Sequence, residues 1–200
     1  MSPSSSHPPC YSERLDEAIA LAVDAFRSKV RKGSQIPYVT HLLQVLVTVA
    51  EHGGDEEQLI AAVLHDYLED IRGAERAVLA QRFGERVARL VEGLSDSTTH
   101  PKPPWQERKE SYLQALATEP HELKLISTAD KLHNATSILR DYRLLREEVW
   151  DRFTATREQT LWYYRAAYAA LSTGWQHPLL DDLRRVIVAM HEEAGESIEL

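Results

Sequence analysis

The 200-residue chain has a single cysteine, Cys10, so no disulfide can form within it. A cross-linked secreted scaffold is excluded, and a reducing cytoplasm is the expected compartment. Cys10 follows the tail Ser2-Pro3-Ser4-Ser5-Ser6-His7-Pro8-Pro9, which offers no fixed group to activate a thiol, so a catalytic cysteine is not expected. No apolar run approaches the roughly 20 residues that span a bilayer. No basic start followed by an apolar stretch marks a signal peptide. An excess of base is lacking too: 23 Lys plus Arg stand against 31 Asp plus Glu, for a net charge of −8. That balance argues against DNA, RNA or an anionic membrane as partner. A small anionic ligand stays compatible, because a metal ion and a few local cations reverse the field inside a cleft. Alternating strand patterns are absent as well.

What is present is helical periodicity from end to end. Residues 1–11 read as a disordered leader rich in Ser and Pro, and 12–195 as one all-α domain of about 8–10 helices with no significant sheet. Ser12 is placed to cap a first helix with Leu15, Ile19, Ala22, Val23 and Phe26 on one face, ending near Lys29 to Arg31. Gly33 and Pro37 mark a loop. A second helix is expected from Thr40 to Glu51, stopped by Gly53-Gly54. A third, capped by Asp55, carries Leu59 to Leu64 into His65-Asp66. Shorter helices lie over 74–83 and 85–94, then a Pro-rich loop over 95–104 suited to the rim of a site. Helices resume over 106–118, 121–140, 144–153, 156–172 and 177–194.

Chemistry concentrates in a split set of acids and histidines. On a continuous helix, residues three and four apart share a face, so His65, Asp66, Glu69 and Asp70 would form one polar surface at an apolar helix end. Crowded carboxylates there repel, and a divalent cation relieves the repulsion most directly. His41 upstream and Asp130 downstream complete two His and two Asp, a donor set suited to Mn²⁺, Fe²⁺, Zn²⁺ or Mg²⁺. Octahedral coordination would leave two positions open for metal-assisted hydrolysis. Each residue alone has a plainer reading: His41 as a satisfied histidine near a helix start, Asp130 as a partner for Lys131, Glu69-Asp70 as a solvated helix end. Joint spacing in apolar surroundings favours the metal.

Basic residues lie nearby in sequence. Arg31 and Lys32 precede His41 in the same loop, Arg108-Lys109 come after the Pro-rich stretch, and Arg140, Arg143 and Arg146 come after Asp130. Surface pairing suits Arg143 and Arg146, whereas Arg31 and Lys32 are placed to meet a phosphate or base. Asn134 shares the helical face of Asp130. His133 sits about 100° away on the helix wheel and is not counted as a ligand. Tyr163-Tyr164 and Trp162 read as core aromatics. His52, His100, His121, His177 and His191 carry no assigned chemistry.

Arg31-Lys32, Pro37-Tyr38-x-x-His41, His65-Asp66-x-x-Glu69-Asp70 and Asp130-Lys131-Leu132-His133-Asn134, in that order, resemble the HD-domain metal phosphohydrolases. Within them the chain is most similar to the hydrolase domain of the RelA/SpoT alarmone enzymes and to the small alarmone hydrolases. The likeness covers about residues 15 to 170 and extends to Phe83-Gly84-Glu85 and Val91-x-Gly93-Leu94. It implies an HD-domain helical bundle, Mn²⁺, and removal of the 3′-pyrophosphate from guanosine tetra- or pentaphosphate or an adenosine counterpart. It implies His41, His65, Asp66 and Asp130 as metal ligands, and Glu69 and Asp70 as the acids that position and activate water. Arg31, Lys32 and Asn134 become contacts to a purine nucleotide, and a homodimer is compatible.

Three departures bear on selectivity: Gly33-Ser34-Gln35 in the loop before His41, Thr136 where the long enzymes often carry Arg, and Ile71 where Thr is common. A synthetase domain is not expected in the remaining length, which favours a pure hydrolase. The competing expectations are a related enzyme acting on a nucleoside monophosphate or NADPH, and an antitoxin-type protein that neutralises nucleotides by binding.

Overall fold

The computed structural model describes residues 10–99 and 101–200. Among them are ten α-helices, one 3-10 helix and no strand, as expected for an all-α chain. Helix α1 spans Glu13–Ala25, α2 Val39–Glu51, α3 Glu56–Val63, α4 Tyr67–Asp70, α5 Arg76–Phe83 and α6 Glu85–Leu94. Then come α7, Trp105–Thr118, and α8, His121–Leu145, the 3-10 helix Arg146–Arg152, α9, Arg157–Ser172, and α10, Pro178–Glu193.

Several helix starts are written plainly in the sequence. The Asp55 side chain accepts from the Gln58 amide while the Gln58 side chain accepts from the Asp55 amide, a reciprocal cap on α3. Thr156 and Gln159 repeat the device on α9. The α10 start combines a His177 cap with Pro178 in the first turn. Between α5 and α6 the chain turns at Gly84 with φ +89, a conformation that costs glycine little.

Helix α8 is the axis of the molecule. Every residue from Leu123 to Lys131 is buried, so this stretch is enclosed on all sides. Helices α2, α3, α6, α9 and α10 pack against it. The core built around it includes Leu42, Ile60, Leu64, Leu90, Ile126 and Leu183. Lys124 is buried as well. Its ammonium donates to the carbonyls of Ala117 at 3.0 Å and Thr173 at 2.6 Å, tying the C-terminal ends of α7 and α9 to α8.

The structure corrects three sequence expectations. Helix α1 ends at Ala25 rather than near Lys29 to Arg31, because the next stretch of backbone pairs across a loop: Val30 bridges Pro37, and the amides of Arg31 and Tyr38 donate to the carbonyls of Ile36 and Lys29. Helix α3 stops at Val63, with Leu64 as its cap, so His65 and Asp66 lie in a turn and Glu69 and Asp70 on a separate short helix. The continuous helical face inferred for these four residues does not exist. The third correction is at 144–153: α8 runs on to Leu145 and gives way to a 3-10 helix, entered through Arg146 at φ 53 and ψ −137. Most of the expected leader, and His100, lie outside the described residues; Cys10 is exposed.

Candidate metal centre and cleft

Three elements meet at the centre. The first turn of α2 supplies His41, the turn between α3 and α4 supplies His65 and Asp66, and the middle of α8 supplies Asp130. Asp66 Oδ2 lies 3.1 Å from His65 Nε2 and 3.7 Å from His41 Nε2. Asp130 Oδ1 lies 3.2 Å from His41 Nε2 and 3.6 Å from His65 Nε2. His41 and His65 are almost fully buried, yet neither Nε2 has an aligned hydrogen-bond partner. Buried polar atoms are ordinarily satisfied. Two such nitrogens aimed at two carboxylate oxygens form a set that could hold a divalent cation, and His41, His65 and Asp66 bring one donor atom each within 4.8 Å of one another.

Charge in this centre is balanced by position. Burial opposes a charge on His65, but the Asp66 and Asp130 carboxylates outweigh it and hold its proton well above the usual histidine range. Burial prevails at His41 and lowers its pKa. Despite their burial, Asp66 is held down by His65, and Asp130 well below its ordinary range by Lys131. The centre therefore demands positive charge, as a proton on His65 or as a cation among the four side chains.

A ring of outer contacts fixes the donors. The Nδ1–H of His65 donates to the Ala62 carbonyl at 2.7 Å, which turns Nε2 toward Asp66 and Asp130. His41 Nδ1 lies 2.7 Å from His133 Nδ1, with the two rings stacked. The Tyr38 hydroxyl donates to Asp66 Oδ2 at 2.6 Å. Asp130 receives the Lys131 ammonium on Oδ2 at 2.7 Å and the Asn134 amide on Oδ1 at 2.5 Å. Asp130 is thus both a partner of Lys131 and a member of the centre.

Above the centre opens a cleft of about 780 Å³ with Asp66 and Asp130 among its lining residues. The loop before α2 lines it with Lys29, Arg31 and Lys32, and the α6–α7 region with Lys102, Arg108 and Lys109. Arg31 donates to Asn134 Oδ1 at 2.6 Å, so the two expected nucleotide contacts touch each other. Burial, with Lys109 nearby, lowers the Lys32 pKa.

Glu69 and Asp70 also line the cleft. Glu69 accepts from Lys102 at 2.8 Å and from the Asp96 backbone amide at 3.2 Å. Asp70 pairs with Lys29 and lies 3.6 Å from Lys102. Burial, helped by the Asp96 and Asp66 carboxylates, pushes the Glu69 pKa up to about 6. Asp96 differs: Lys109 and Arg108 overcome its burial and hold it at about 2. Two carboxyls side by side are thereby driven apart in acidity, an arrangement suited to moving a proton near neutral pH.

Sequence reasoning misses several participants. Lys102 and Asp96 lie in the Pro-rich stretch, whose residues give no periodic signal. Tyr38 stands inside the Pro37-to-His41 motif, which by itself gives it no role. His133 is not expected as a ligand, and the structure sets it against His41. Tyr163 and Tyr164 line the cleft as well as the core. Thr136 is exposed and is not among the residues that line the cleft. Arg143 forms the expected surface pair, with Glu193 at 2.6 Å.

Comparison with known proteins places this geometry. Residues 18–161 match the family model for the HD domain. Over 134 residues, 66% of this chain, the sequence is 35% identical to guanosine-3′,5′-bis(diphosphate) 3′-pyrophosphohydrolase of Aquifex aeolicus, of which the match spans 19%. It is 32% identical over 139 residues to the pyrophosphohydrolase MESH1 of Danio rerio, covering 68% of this chain and 73% of that one. A solved structure described as a metazoan ortholog of SpoT that hydrolyzes ppGpp superimposes with a TM-score of 0.73 at 27% identity, over 91% of this chain and 96% of that one. The chain belongs to the HD-domain family and is homologous within it to the SpoT/RelA hydrolase domain and the metazoan MESH1 hydrolases.

Proposed function

We propose that the chain is a metal-dependent phosphohydrolase that removes pyrophosphate from the 3′ position of an alarmone nucleotide, guanosine tetra- or pentaphosphate or an adenosine counterpart. The observation that carries the reading is the pair of buried, unpartnered imidazole nitrogens beside Asp66 and Asp130 at a cation-lined cleft. The activities for which the relatives are named support the substrate class. His41, His65, Asp66 and Asp130 would hold the ion, for which we propose Mn²⁺, since two imidazoles with two carboxylates suit a borderline divalent metal. Such an ion supplies Lewis acidity toward a phosphoryl oxygen.

The chain's own groups divide the remaining work. Lys29, Lys32, Lys102 and Arg108 line the cleft and meet the charge of the 3′-pyrophosphate. Arg31, hydrogen-bonded to Asn134, is placed to contact the nucleoside. Glu69, with its pKa near 6, is largely ionised at neutral pH and accepts the proton of the attacking water, with Asp70 beside it to orient that water. The new bond joins the water oxygen to the phosphorus on the ribose 3′-oxygen; the bond that breaks is phosphorus to that 3′-oxygen. The proton ends on the 3′-hydroxyl, and pyrophosphate leaves.

We place the activity in a reducing cytoplasm and assign the hydrolase unit to residues 12–195, with size-exclusion chromatography to decide between monomer and homodimer. The test is a substrate panel with the Mn²⁺-loaded protein: guanosine tetraphosphate, its adenosine analogue, a nucleoside monophosphate and NADPH. The reading expects pyrophosphate from the first two. Release of orthophosphate from the others alone would replace it with a different nucleotide substrate.

A further inference from the structure

The Arg31–Lys32 loop is braced from behind by a residue that does not enter the cleft. The loop turns tightly: the Ser34 amide donates to the Arg31 carbonyl at 3.1 Å, the Arg31 amide to the Ile36 carbonyl at 2.9 Å, and Gly33 at the tip has φ +67. A side chain at Gly33 would be strained at this φ and would have to displace its neighbour. A Cβ there would fall within 2.7 Å of Arg152 Cγ and Nε, so the Arg152 side chain lies directly against the loop tip. Arg152 is the last residue of the 3-10 helix, and its guanidinium donates to Asp141 Oδ2 on α8 at 3.0 Å. The segment that delivers it begins at Arg146, the one positive-φ residue other than glycine among the described residues. Backbone of that kind persists only where its surroundings hold it.

Both segments contribute to the cleft: Arg31, Lys32 and Ser34 line it from the loop, and Asp141, Phe153 and Thr154 from α8 and the stretch after the 3-10 helix. Arg152 is absent from the lining, yet touches the first segment and is paired to Asp141 in the second. We propose that Arg152 is a positioning residue for the nucleotide: held by Asp141, it clasps Gly33 and fixes the loop so that Arg31 and Lys32 are set before the substrate arrives. This deepens the nucleotide reading above and rests on it for the substrate role. A loop already ordered loses little freedom on binding, so the clasp acts on affinity. The metal centre is built from α2, the α3–α4 turn and α8, and Arg152 is not among its contacts. The effect of Arg152 is therefore expected in KM more than in kcat.

Arg152→Met keeps most of the packing volume and removes the pair to Asp141. Hydrogen exchange of residues 31–36, measured without substrate, should quicken in Arg152→Met and stay close to wild type in Arg152→Lys. With guanosine tetraphosphate, Arg152→Met should raise KM about fivefold, the size of one partly exposed ion pair, with kcat within twofold of wild type. Unchanged exchange in Arg152→Met would overturn the clasp. Faster exchange with unchanged KM, or a fall in kcat at constant KM, would overturn the substrate role. An inert wild-type protein would defeat the alarmone reading and the substrate role with it, while the exchange result would still decide whether the clasp exists.

Discussion

His133 Nδ1 lies 2.7 Å from His41 Nδ1, on the side of the His41 ring away from the carboxylates. For His41 to offer Nε2 to a cation, its proton must sit on Nδ1, and His133 is the acceptor that keeps it there. Burial and the neighbouring His41 hold the His133 pKa at about 4, so it is neutral and able to accept. Replacing it by Phe preserves the stacked ring and removes the acceptor. Mn²⁺ affinity, read by competition with a chromophoric chelator, should fall about tenfold or more.

Glu69 makes a prediction with two opposite signs. Its native pKa of about 6 lies above the unfolded value near 4.3, so the native state holds its proton longer as pH rises. The stability this confers is full below about pH 4 and is lost by pH 6. Glu69→Gln should therefore raise the melting temperature of the metal-free protein at pH 7. The same substitution should lower kcat at least a hundredfold and remove the rise in rate through pH 6.

Lys131 is buried, with its ammonium 2.7 Å from Asp130 Oδ2 and 5.0 Å from the centre of the Tyr112 ring. Removing one partner of a buried ion pair is far worse than removing both. Lys131→Met should destabilise the metal-free protein by about 3 kcal/mol in urea unfolding. Arg in its place should recover part of the loss.

Thr136→Arg adds a cation on the exposed face of α8. Because Thr136 is exposed and off the cleft lining, KM for the guanosine and adenosine alarmones should change less than about twofold, the scale of a surface substitution.

The helices and most of the converging residues were legible because they rest on local signals. The Ser12 and Asp55 caps and the apolar spacing behind them place the starts of α1 and α3 directly. The pairing of His41 with Asp130 was legible only as ligand chemistry and likeness, since the two lie 89 residues apart. What escaped was set by tertiary contact. The break after Val63 goes against helix periodicity, and it turns His65 and Asp66 toward α8. Lys102 acquires meaning only when its loop folds over Glu69, and Arg152 only when it lies on Gly33. No spacing rule connects those residues.

The central claim is most directly tested by pyrophosphate release from guanosine tetraphosphate, comparing the Mn²⁺-loaded protein with its Asp66→Ala variant. One pyrophosphate and one guanosine 5′-diphosphate per substrate, from wild type only and lost on chelation, is the predicted result. Equal release by both proteins, or none from wild type with any divalent ion, would contradict it.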